Sequence, residues 1–345
     1  MLGIIKKTLK KSFCSAVHYS GLYFLLSYIK KMRSNELAIL MYHRISNGNE
    51  TFNLSSNLIS ASKENFEKQL QYLAKHCNVM TFDDLYNAIN KDGKLPKNST
   101  IITFDDGYKD NFTVAYPILK KFDIPATIFL TTGFIDGIEF FWWDKVAYLI
   151  KNTKVEEVDI GSLGKISLRD KEESIRKIQE RLKQVEESKK IYVIEKLKEK
   201  LMVKVPEAKG LFLSWQEVKE MSENNIYFGA HTVTHPILTK VSVEKAQSEV
   251  LGSRRKIEEV LNKKIKVFAY TNGTSDDMSE DIDDFLKKNG FIFSLSSIYG
   301  ANKINSQSFR LKRIGVEADD DLLMFRIKLL GLGKIFAPLY LRFFK

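Results

Sequence analysis

Residues 99–108 read STIITFDDGY, an apolar and β-branched run that ends in two adjacent aspartates and a glycine. The run at 99–104 predicts a buried strand. Consecutive strand residues point to opposite faces, but Gly107 lets the chain turn at the strand end, so that Asp105 and Asp106 can converge on one site. Two ionised carboxylates held together repel, so the pattern predicts a nearby cation or one protonated carboxyl. A helix N-cap is the alternative, as we infer for the similar Asp-Asp pair at 83–84.

Strands and helices alternate along most of the chain. Apolar runs predict further strands at 36–42, 124–131, 227–230, 266–270 and 291–295. Helical periodicity is found at 62–76, 111–122, 243–262 and 280–289. This alternation predicts an α/β fold with a parallel sheet or barrel, whose functional site lies in the loops after the strands.

Residues 170–201 break the alternation because they are dense in Lys and Glu. Apolar residues recur there at three- and four-residue steps: Ile175, Ile178, Leu182 and Val185, then Ile194, Leu197 and Leu201. We predict two charged helices joined near Ser188, within an insertion at about 152–210. The insertion is either a lid or a surface for a partner. The alternative is a solvent-exposed helical segment that only packs through one apolar face.

The positive charge is concentrated at the two ends of the chain. Residues 1–35 contain seven Lys or Arg and no acid, and residues 322–345 contain five and no acid. The whole chain carries +11, so the body at 36–321 is near neutral, which argues against a nucleic-acid groove. We interpret 1–35 as a basic amphipathic segment and 322–345 as a basic apolar C-terminal helix, both suited to an anionic membrane surface. For 1–35, the alternatives are a helix packed on the body and an uncleaved signal anchor. For 322–345, the alternative is a last helix that completes the core.

Two of the five histidines, His231 and His235, are four residues apart, which is a plausible spacing for a metal pair. Pro236 biases His235 away from helical angles and favours a loop. Two imidazoles and one carboxylate would leave coordination positions open for water and substrate, as catalytic zinc requires. Two partly exposed histidines without a ligand are the alternative. His43, at the end of the first strand, reaches this site only if that strand neighbours the one ending before Asp105.

The motifs TFDDGY at 103–108 and HTVTHP at 231–236 together resemble the polysaccharide deacetylase (NodB-homology) family of metal-dependent carbohydrate esterases. The early YHR element at 42–44 resembles the branch that acts on poly-N-acetylglucosamine-like and other surface glycans. The resemblance covers roughly residues 37–316. It implies a distorted (β/α) barrel with fewer than eight complete units, here with the charged helical insertion.

The resemblance also implies roles for individual residues. The residues that match the family's metal ligands are Asp106, His231 and His235. Asp105 matches the general base, His43 the general acid of the branch with an early YH motif, and the backbone amide of Tyr108 an oxyanion donor. The implied cofactor is one divalent metal; zinc is the first choice, and cobalt, nickel, manganese or iron also suit a mixed nitrogen and oxygen site.

The chain departs from the family after the histidines. Residues 268–273 read FAYTNG, where many members have Arg-Pro-Pro-Tyr-Gly or Tyr-Pro-Tyr-Gly, so the arginine that orients the base has no equivalent there. Arg313 is the candidate orienter, with a surface arginine as the alternative. Tyr270 and Trp142 are candidate substrate or orienting residues, and packing is the alternative for the tryptophans.

These observations predict a metal-dependent N-deacetylase that acts on an acetylated amino sugar of a surface glycan or its lipid-linked precursor. A deformylase or other amide hydrolase on the same site, and a non-catalytic glycan-binding or scaffold protein, are the alternatives. The expected location is the cytoplasmic face of a membrane, with an exported or signal-anchored form left open.

Overall fold

The computed structural model describes residues 20–21, 35–48, 54–135, 137, 139–161, 164–303 and 308–331. The strands are β1 (Glu36–Tyr42), β2 (Arg44–Ser46), β3 (Ile59–Ser62), β4 (Asn78–Val79), β5 (Ser99–Phe104), β6 (Ala126–Leu130), β7 (Glu157–Asp159), β8 (Lys165–Ser167), β9 (Ile226–Ala230), β10 (Val267–Ala269), β11 (Phe293–Tyr299), β12 (Asn302–Lys303) and β13 (Leu311–Gly315).

The α-helices are α1 (Lys63–His76), α2 (Phe82–Asn87), α3 (Tyr116–Lys121), α4 (Thr132–Ile135), α5 (Trp142–Asn152), α6 (Lys171–Lys183), α7 (Glu187–Leu201), α8 (Trp215–Ser222), α9 (Val243–Leu261), α10 (Glu280–Lys288) and α11 (Leu322–Leu329). Short 3-10 or π-helical turns lie at Ser56–Leu58, Ala88–Asp92, Asn111–Ala115, Leu238–Lys240 and Ser275–Asp277.

Seven parallel strands close into a barrel. They follow chain order around the ring, as β1, β5, β6, β9, β10, β11 and β13, and β1 closes the ring because it pairs with both β5 and β13. β5 and β6 are buried along their whole length, as expected for strands covered on both faces. The predicted distorted barrel with fewer than eight units is therefore confirmed. Parallel strands bring the residues that follow them to one rim.

All the predicted strands are present, with the predicted bounds at 36–42 and 99–104 and with shifted ends elsewhere, but the barrel strand β13 was not predicted. Its sequence, LKRIG, places two cations inside a short strand and so hides the apolar pattern; Lys312 is exposed, whereas Arg313 is buried in the barrel. The Asp-Asp pair at 83–84 does belong to a cap, because Thr81 and Asp84 form a reciprocal capping box at the start of α2.

The insertion packs around an apolar core of its own. α5 contributes Val146 and Ile150, and the two charged helices α6 and α7 contribute residues such as Ile178, Leu182 and Ile194. The two predicted charged helices are present: α6 ends at Lys183 and α7 begins at Glu187, so they join at 184–186, close to the predicted Ser188. The hairpin β7–β8, which the sequence did not predict, completes the unit.

The ends of the chain lie mostly outside the described residues. This holds for 1–19, 22–34 and 332–345, so membrane contact through the two ends remains a prediction. The described part of the last segment, α11, buries Met324, Phe325 and Ile327 against the body. Lys328 on α11 is engaged inside the protein, since its amine donates to Asp320 at 2.6 Å. Within the described residues, no helix has both the length and the apolar character to cross a bilayer.

Candidate active site

The turn after β5 places two carboxyl groups at the barrel rim. The Asp105 N–H donates to the carbonyl of Tyr42, at the end of the adjacent β1, at 3.0 Å. Asp106 and Gly107 then adopt left-handed backbone angles, with φ of 78° and 79°. For a residue with a Cβ, this conformation persists only where surrounding contacts fix it. Asp105 and Asp106 are 3% and 2% exposed, so the turn directs both carboxyls into the protein.

The loop after β9 brings both predicted histidines to Asp106. The Nε2 atoms of His231 and His235 lie 3.6 and 3.4 Å from Asp106 Oδ1. The loop is not helical, as predicted, because Thr232 and His235 have φ of 66° and 61°. His231 Nδ1 donates to the carbonyl of Ala269 at 2.7 Å, which leaves the lone pair of Nε2 facing Asp106. Such a second hydrogen bond commonly orients a metal-ligating histidine.

These three side chains fit a divalent cation. Their donor atoms all lie within 4.8 Å of one another. Burial lowers the pKa of both imidazoles, which favours the neutral form that binds metals. Burial, with the nearby charges of Asp105 and Asp144, raises the pKa of Asp106, and Asp106 Oδ1 is buried without a hydrogen-bond partner. Acceptor atoms that face one another in a buried site need a positive charge between them, and a metal ion supplies it.

A second cluster of acidic residues, at 317–320, differs from the Asp-His-His cluster because a lysine lies within it. Glu317, Asp319 and Asp320 lie close enough together to hold an ion, but the Lys328 amine lies among them. It is 2.6 Å from Asp320 and 3.6 Å from Glu317. A lysine therefore supplies the positive charge there.

Arg313, from the strand that sequence reasoning missed, holds Asp105 with both arms of its guanidinium. NH1 and NH2 donate to Oδ1 and Oδ2 of Asp105, each at 2.7 Å, and the side chain is 1% exposed. Nε donates to the Ser296 carbonyl at 2.8 Å, which fixes the plane of the guanidinium. Burial raises the pKa of Asp105, but Arg313 outweighs it, assisted by His231, and leaves the pKa at about 2. Arg313, the candidate orienting residue, thus binds Asp105, the candidate base, directly.

His43 stands beside Asp105 because β1 and β5 are neighbours. Tyr42 and Phe104, the last residues of the two strands, are in register. The His43 backbone is held from both sides, since its N–H donates to Ser60 Oγ at 2.9 Å and its carbonyl accepts from Asn111 at 2.8 Å. Its side chain is partly exposed. Burial within the site lowers its pKa to about 4, with Asp105 opposing the change and Arg313 adding to it.

The Tyr108 ring is locked in place behind the Asp-Asp turn. Its hydroxyl donates to Asp144 Oδ2 at 2.6 Å and accepts from Trp143 Nε1 at 3.0 Å. The Arg44 guanidinium lies over the ring, 5.1 Å from its centroid. Burial raises the pKa of Asp144 to about 7, although the Tyr108 hydrogen bond and Arg44 oppose the rise. Asp144 is fully buried and was not singled out from the sequence; only its place beside the tryptophans marks it.

Tyr108, whose backbone N–H is the predicted oxyanion donor, lies in a short bridge that follows the Asp-Asp turn. An antiparallel bridge joins Tyr108 to Phe212. The bridge uses the N–H groups of Lys109 and Leu213, which donate to the carbonyls of residues 211 and 107 at 2.9 and 3.0 Å. The Tyr108 N–H lies outside this pair of bonds.

Aromatic side chains from the start of α5 form one wall of the site. The Trp143 ring meets the His235 ring edge-on, with 4.7 Å between centroids. Trp142, the predicted substrate residue, is partly exposed and packs edge-on against Trp143. The Lys190 amine of α7 lies 5.0 Å from the centre of the Trp142 ring. Trp143 is therefore the tryptophan in direct contact with a candidate ligand.

The altered element at 268–273 contacts the loop that carries the two histidines. The Tyr270 hydroxyl donates to Asp283 of α10 at 2.6 Å, and Arg310 binds the other oxygen of that carboxylate. Tyr270, a candidate substrate or orienting residue, thus directs its hydroxyl to α10. Thr271, where the family has proline, donates its hydroxyl to the carbonyl of Pro236.

Comparisons with known proteins point to one family of enzymes. The family model described as polysaccharide deacetylase matches residues 92–291. A Bacillus subtilis protein, YxkH, named as a polysaccharide deacetylase, is 23% identical over 293 residues, which are 84% of this chain and 75% of that protein. Staphylococcus aureus poly-beta-1,6-N-acetyl-D-glucosamine N-deacetylase is 37% identical over 126 residues. That match spans 34% of this chain and 43% of the relative, so less than half of the relative's length is covered.

Solved structures share the fold. The Streptococcus pyogenes deacetylase PplD, in complex with acetate, superposes with a TM-score of 0.56 at 20% identity, over 85% of this chain and 99% of that one. IcaB from Ammonifex degensii gives a TM-score of 0.53 at 18% identity, over 81% and 91% of the two chains. At these identities, the likeness concerns the fold.

Proposed function

The chain belongs to the polysaccharide deacetylase family, and we propose that it is a metal-dependent N-deacetylase that removes an acetyl group from an amino sugar of a surface polysaccharide or its lipid-linked precursor. The observation that carries this proposal is the arrangement at the barrel rim. Asp106 Oδ1 lies unpartnered within 3.6 Å of the Nε2 atoms of His231 and His235. Asp105 lies beside this group in an ion pair with Arg313.

Asp106, His231 and His235 would hold the cation, and three ligands leave positions open for water and substrate. A divalent cation held there would lower the pKa of a water molecule and polarise the acetamide carbonyl. Asp105 receives the proton of the attacking water, because it stays ionised at neutral pH and Arg313 fixes both of its oxygens. The Tyr108 N–H donates to the developing oxyanion.

The leaving amine needs a proton, and two residues can deliver it. His43 is the expected donor, yet its pKa of about 4 means that its imidazole is neutral at pH 7 in the free protein, so it must gain the proton during the reaction. Asp105 is the other candidate. A carboxyl with a pKa of about 2 is a weak base, but once protonated it releases the proton readily. Donation by Asp105 requires only the proton already taken from water.

The substrate part of the proposal rests on two kinds of support. The partly exposed Trp142 offers apolar surface of the kind that sugar rings pack against. One relative is named as a deacetylase of poly-beta-1,6-N-acetyl-D-glucosamine, which makes oligomers of that glycan the first substrates to test.

The test compares metal content and acetate release in four proteins. They are the parent, His231→Ala/His235→Ala, Asp105→Asn, and His76→Ala as a control at an exposed histidine on α1. We expect about one equivalent of metal in the parent, Asp105→Asn and His76→Ala, and none in the double variant. Acetate release is expected only from the parent and His76→Ala, with a loss of at least ~10²-fold in Asp105→Asn.

Other outcomes point to the other candidates. Release of formate from a formylated amino sugar, without acetate from its acetylated counterpart, would replace deacetylation by deformylation. Metal-free protein after supply of zinc and cobalt, with glycan binding but no turnover, would refute the enzyme proposal and favour a glycan-binding role.

A further inference from the structure

Glu249, on the second turn of α9, has its carboxylate buried beneath the loop that carries both histidines. It is 1% exposed. We propose that Glu249 is a positioning residue that holds His231 and His235 in the geometry needed to share one cation with Asp106. The inference rests on the metal site of the proposed function and adds a residue that lies outside both family motifs.

The contacts of Glu249 fall between the two histidines. Oε2 accepts from the backbone N–H groups of Val233 at 2.8 Å and Thr234 at 2.7 Å. Oε1 accepts from the Thr234 hydroxyl at 2.7 Å and from the amine of Lys245 at 2.7 Å. Hydrogen bonds to an ionised acceptor are stronger than those between neutral groups. One carboxylate therefore fixes two consecutive residues of the three that separate the candidate ligands.

The loop needs such an anchor because its backbone is unfavourable in isolation. Thr232 and His235 both adopt left-handed angles, which residues with a Cβ avoid unless their surroundings impose them. The Thr232 hydroxyl accepts from the His235 N–H at 3.0 Å, and the Gly133 N–H donates to the Val233 carbonyl at 2.8 Å. These are neutral hydrogen bonds, whereas the three that the loop donates to Glu249 have a charged acceptor.

The helix itself does not need this carboxylate. α9 is capped by Ser242, whose side chain accepts from the Lys245 N–H. Burying a carboxylate is costly unless hydrogen bonds compensate for the lost water. Because the partners of Glu249 on the buried side are all in the loop, loop geometry is the property that the charge supports.

The test uses metal-stripped full-length protein and three substitutions. Glu249→Gln keeps the shape but removes the charge and one acceptor oxygen, and Glu249→Asp keeps the charge but shortens its reach. Glu259→Gln is the matched control, since Glu259 is exposed on the same helix. Affinity for Zn²⁺ and Co²⁺ is measured by competition with a chromophoric chelator. Hydrogen exchange of the peptide covering 231–238 is measured without metal.

We expect Glu249→Gln to weaken Zn²⁺ binding by about 10–100-fold, as is typical when a partner of a metal-ligating residue is removed. Exchange at residues 233–234 should accelerate at least tenfold in the metal-free protein, while the peptide of β5 keeps its protection. Glu249→Asp should lie between Glu249→Gln and the parent, and Glu259→Gln should match the parent. If Glu249→Gln does not fold, Glu249→Asp carries the same comparison.

Two results would overturn the inference while leaving the metal site intact. One is Zn²⁺ affinity within threefold of the parent in folded Glu249 variants, and the other is an equal loss in Glu259→Gln. A parent that takes up no metal at all would instead refute the proposed function, and the inference with it.

Discussion

Replacing Arg313 with methionine tests how the buried carboxylate of Asp105, the candidate base, is kept ionised. The guanidinium is 1% exposed and donates to both oxygens of Asp105 at 2.7 Å, so the substitution leaves a buried carboxylate without its cation. Removing one partner of a buried ion pair typically costs ~3–5 kcal/mol. We expect Arg313→Met to lower the free energy of unfolding of the metal-free protein by that amount at pH 7.

The contribution of Asp105 to the pH dependence of stability should change sign in this variant. In the parent, the pKa of Asp105 is about 2 when folded. An unfolded Asp has a pKa of ~3.9, so the pair stabilises the fold above pH ~4 by ~2.6 kcal/mol, and this contribution is lost as the pH falls toward 2. Without Arg313, burial raises the pKa of Asp105 above its unfolded value. Its contribution then makes the variant less stable as the pH rises from ~4 to 7.

The assay is a double-mutant cycle followed by urea unfolding in the presence of a chelator. The corners are the parent, Arg313→Met, Asp105→Asn and the double variant. Because the double variant carries no uncompensated charge, it should lose at least ~2 kcal/mol less than the sum of the single losses. Arg310→Met is the control, since Arg310 pairs with Asp283 on the outside of the barrel. Additivity within ~0.5 kcal/mol, or equal coupling of Arg310 to Asp105, would refute the reasoning.

Two further predictions concern single proton sites. If His43 protonates the leaving amine, His43→Ala should lower kcat by ~10²–10⁴-fold at pH 7 with little change in KM, and a loss below tenfold would assign the step to Asp105. Asp144, with its pKa raised to about 7 by burial, keeps a proton in the folded state that the unfolded chain releases above pH ~4. The fold should therefore lose up to ~4 kcal/mol of stability between pH 4 and 7, and Asp144→Asn, which can still accept from Tyr108, should remove that decline. Urea unfolding at pH 4.5 and 8 measures it, and an unchanged decline in the variant contradicts the assignment.

The barrel could be predicted to the extent that its strands are apolar. Runs such as 99–104 are buried on both faces, so hydrophobicity alone marks them. β13 escaped prediction because its inward-facing position is occupied by Arg313, whose charge is balanced by Asp105, 208 residues earlier in the chain. A composition-based rule cannot recognise a buried cation until its partner is known.

The same limit applied within the site. The motifs mark Asp106, His231 and His235 as candidate ligands because the residue types and their spacing are local signals. Glu249 carries no such signal, since it is one of several acids on a charged helix and becomes distinctive only when the loop lies on it. Tyr270 was a candidate substrate or orienting residue from its place in the sequence, and only the structure shows that its hydroxyl donates to Asp283.

The pairing of β1 with β13 closes the ring. It therefore determines when, in a newly synthesised chain, Asp105 can form its ion pair with Arg313. Chains grow at roughly 5–20 residues per second, so about 10–40 seconds separate the synthesis of Asp105 from that of Arg313. All three candidate ligands emerge within that interval, yet Leu40 and Ile314, which pair across the closing strands, cannot meet before its end. Until then, the Asp105 carboxylate has no guanidinium and must remain hydrated. The candidate site is thus completed by the last barrel strand to be translated. A nascent chain can contain all three candidate ligands before Asp105 has the guanidinium that balances its charge.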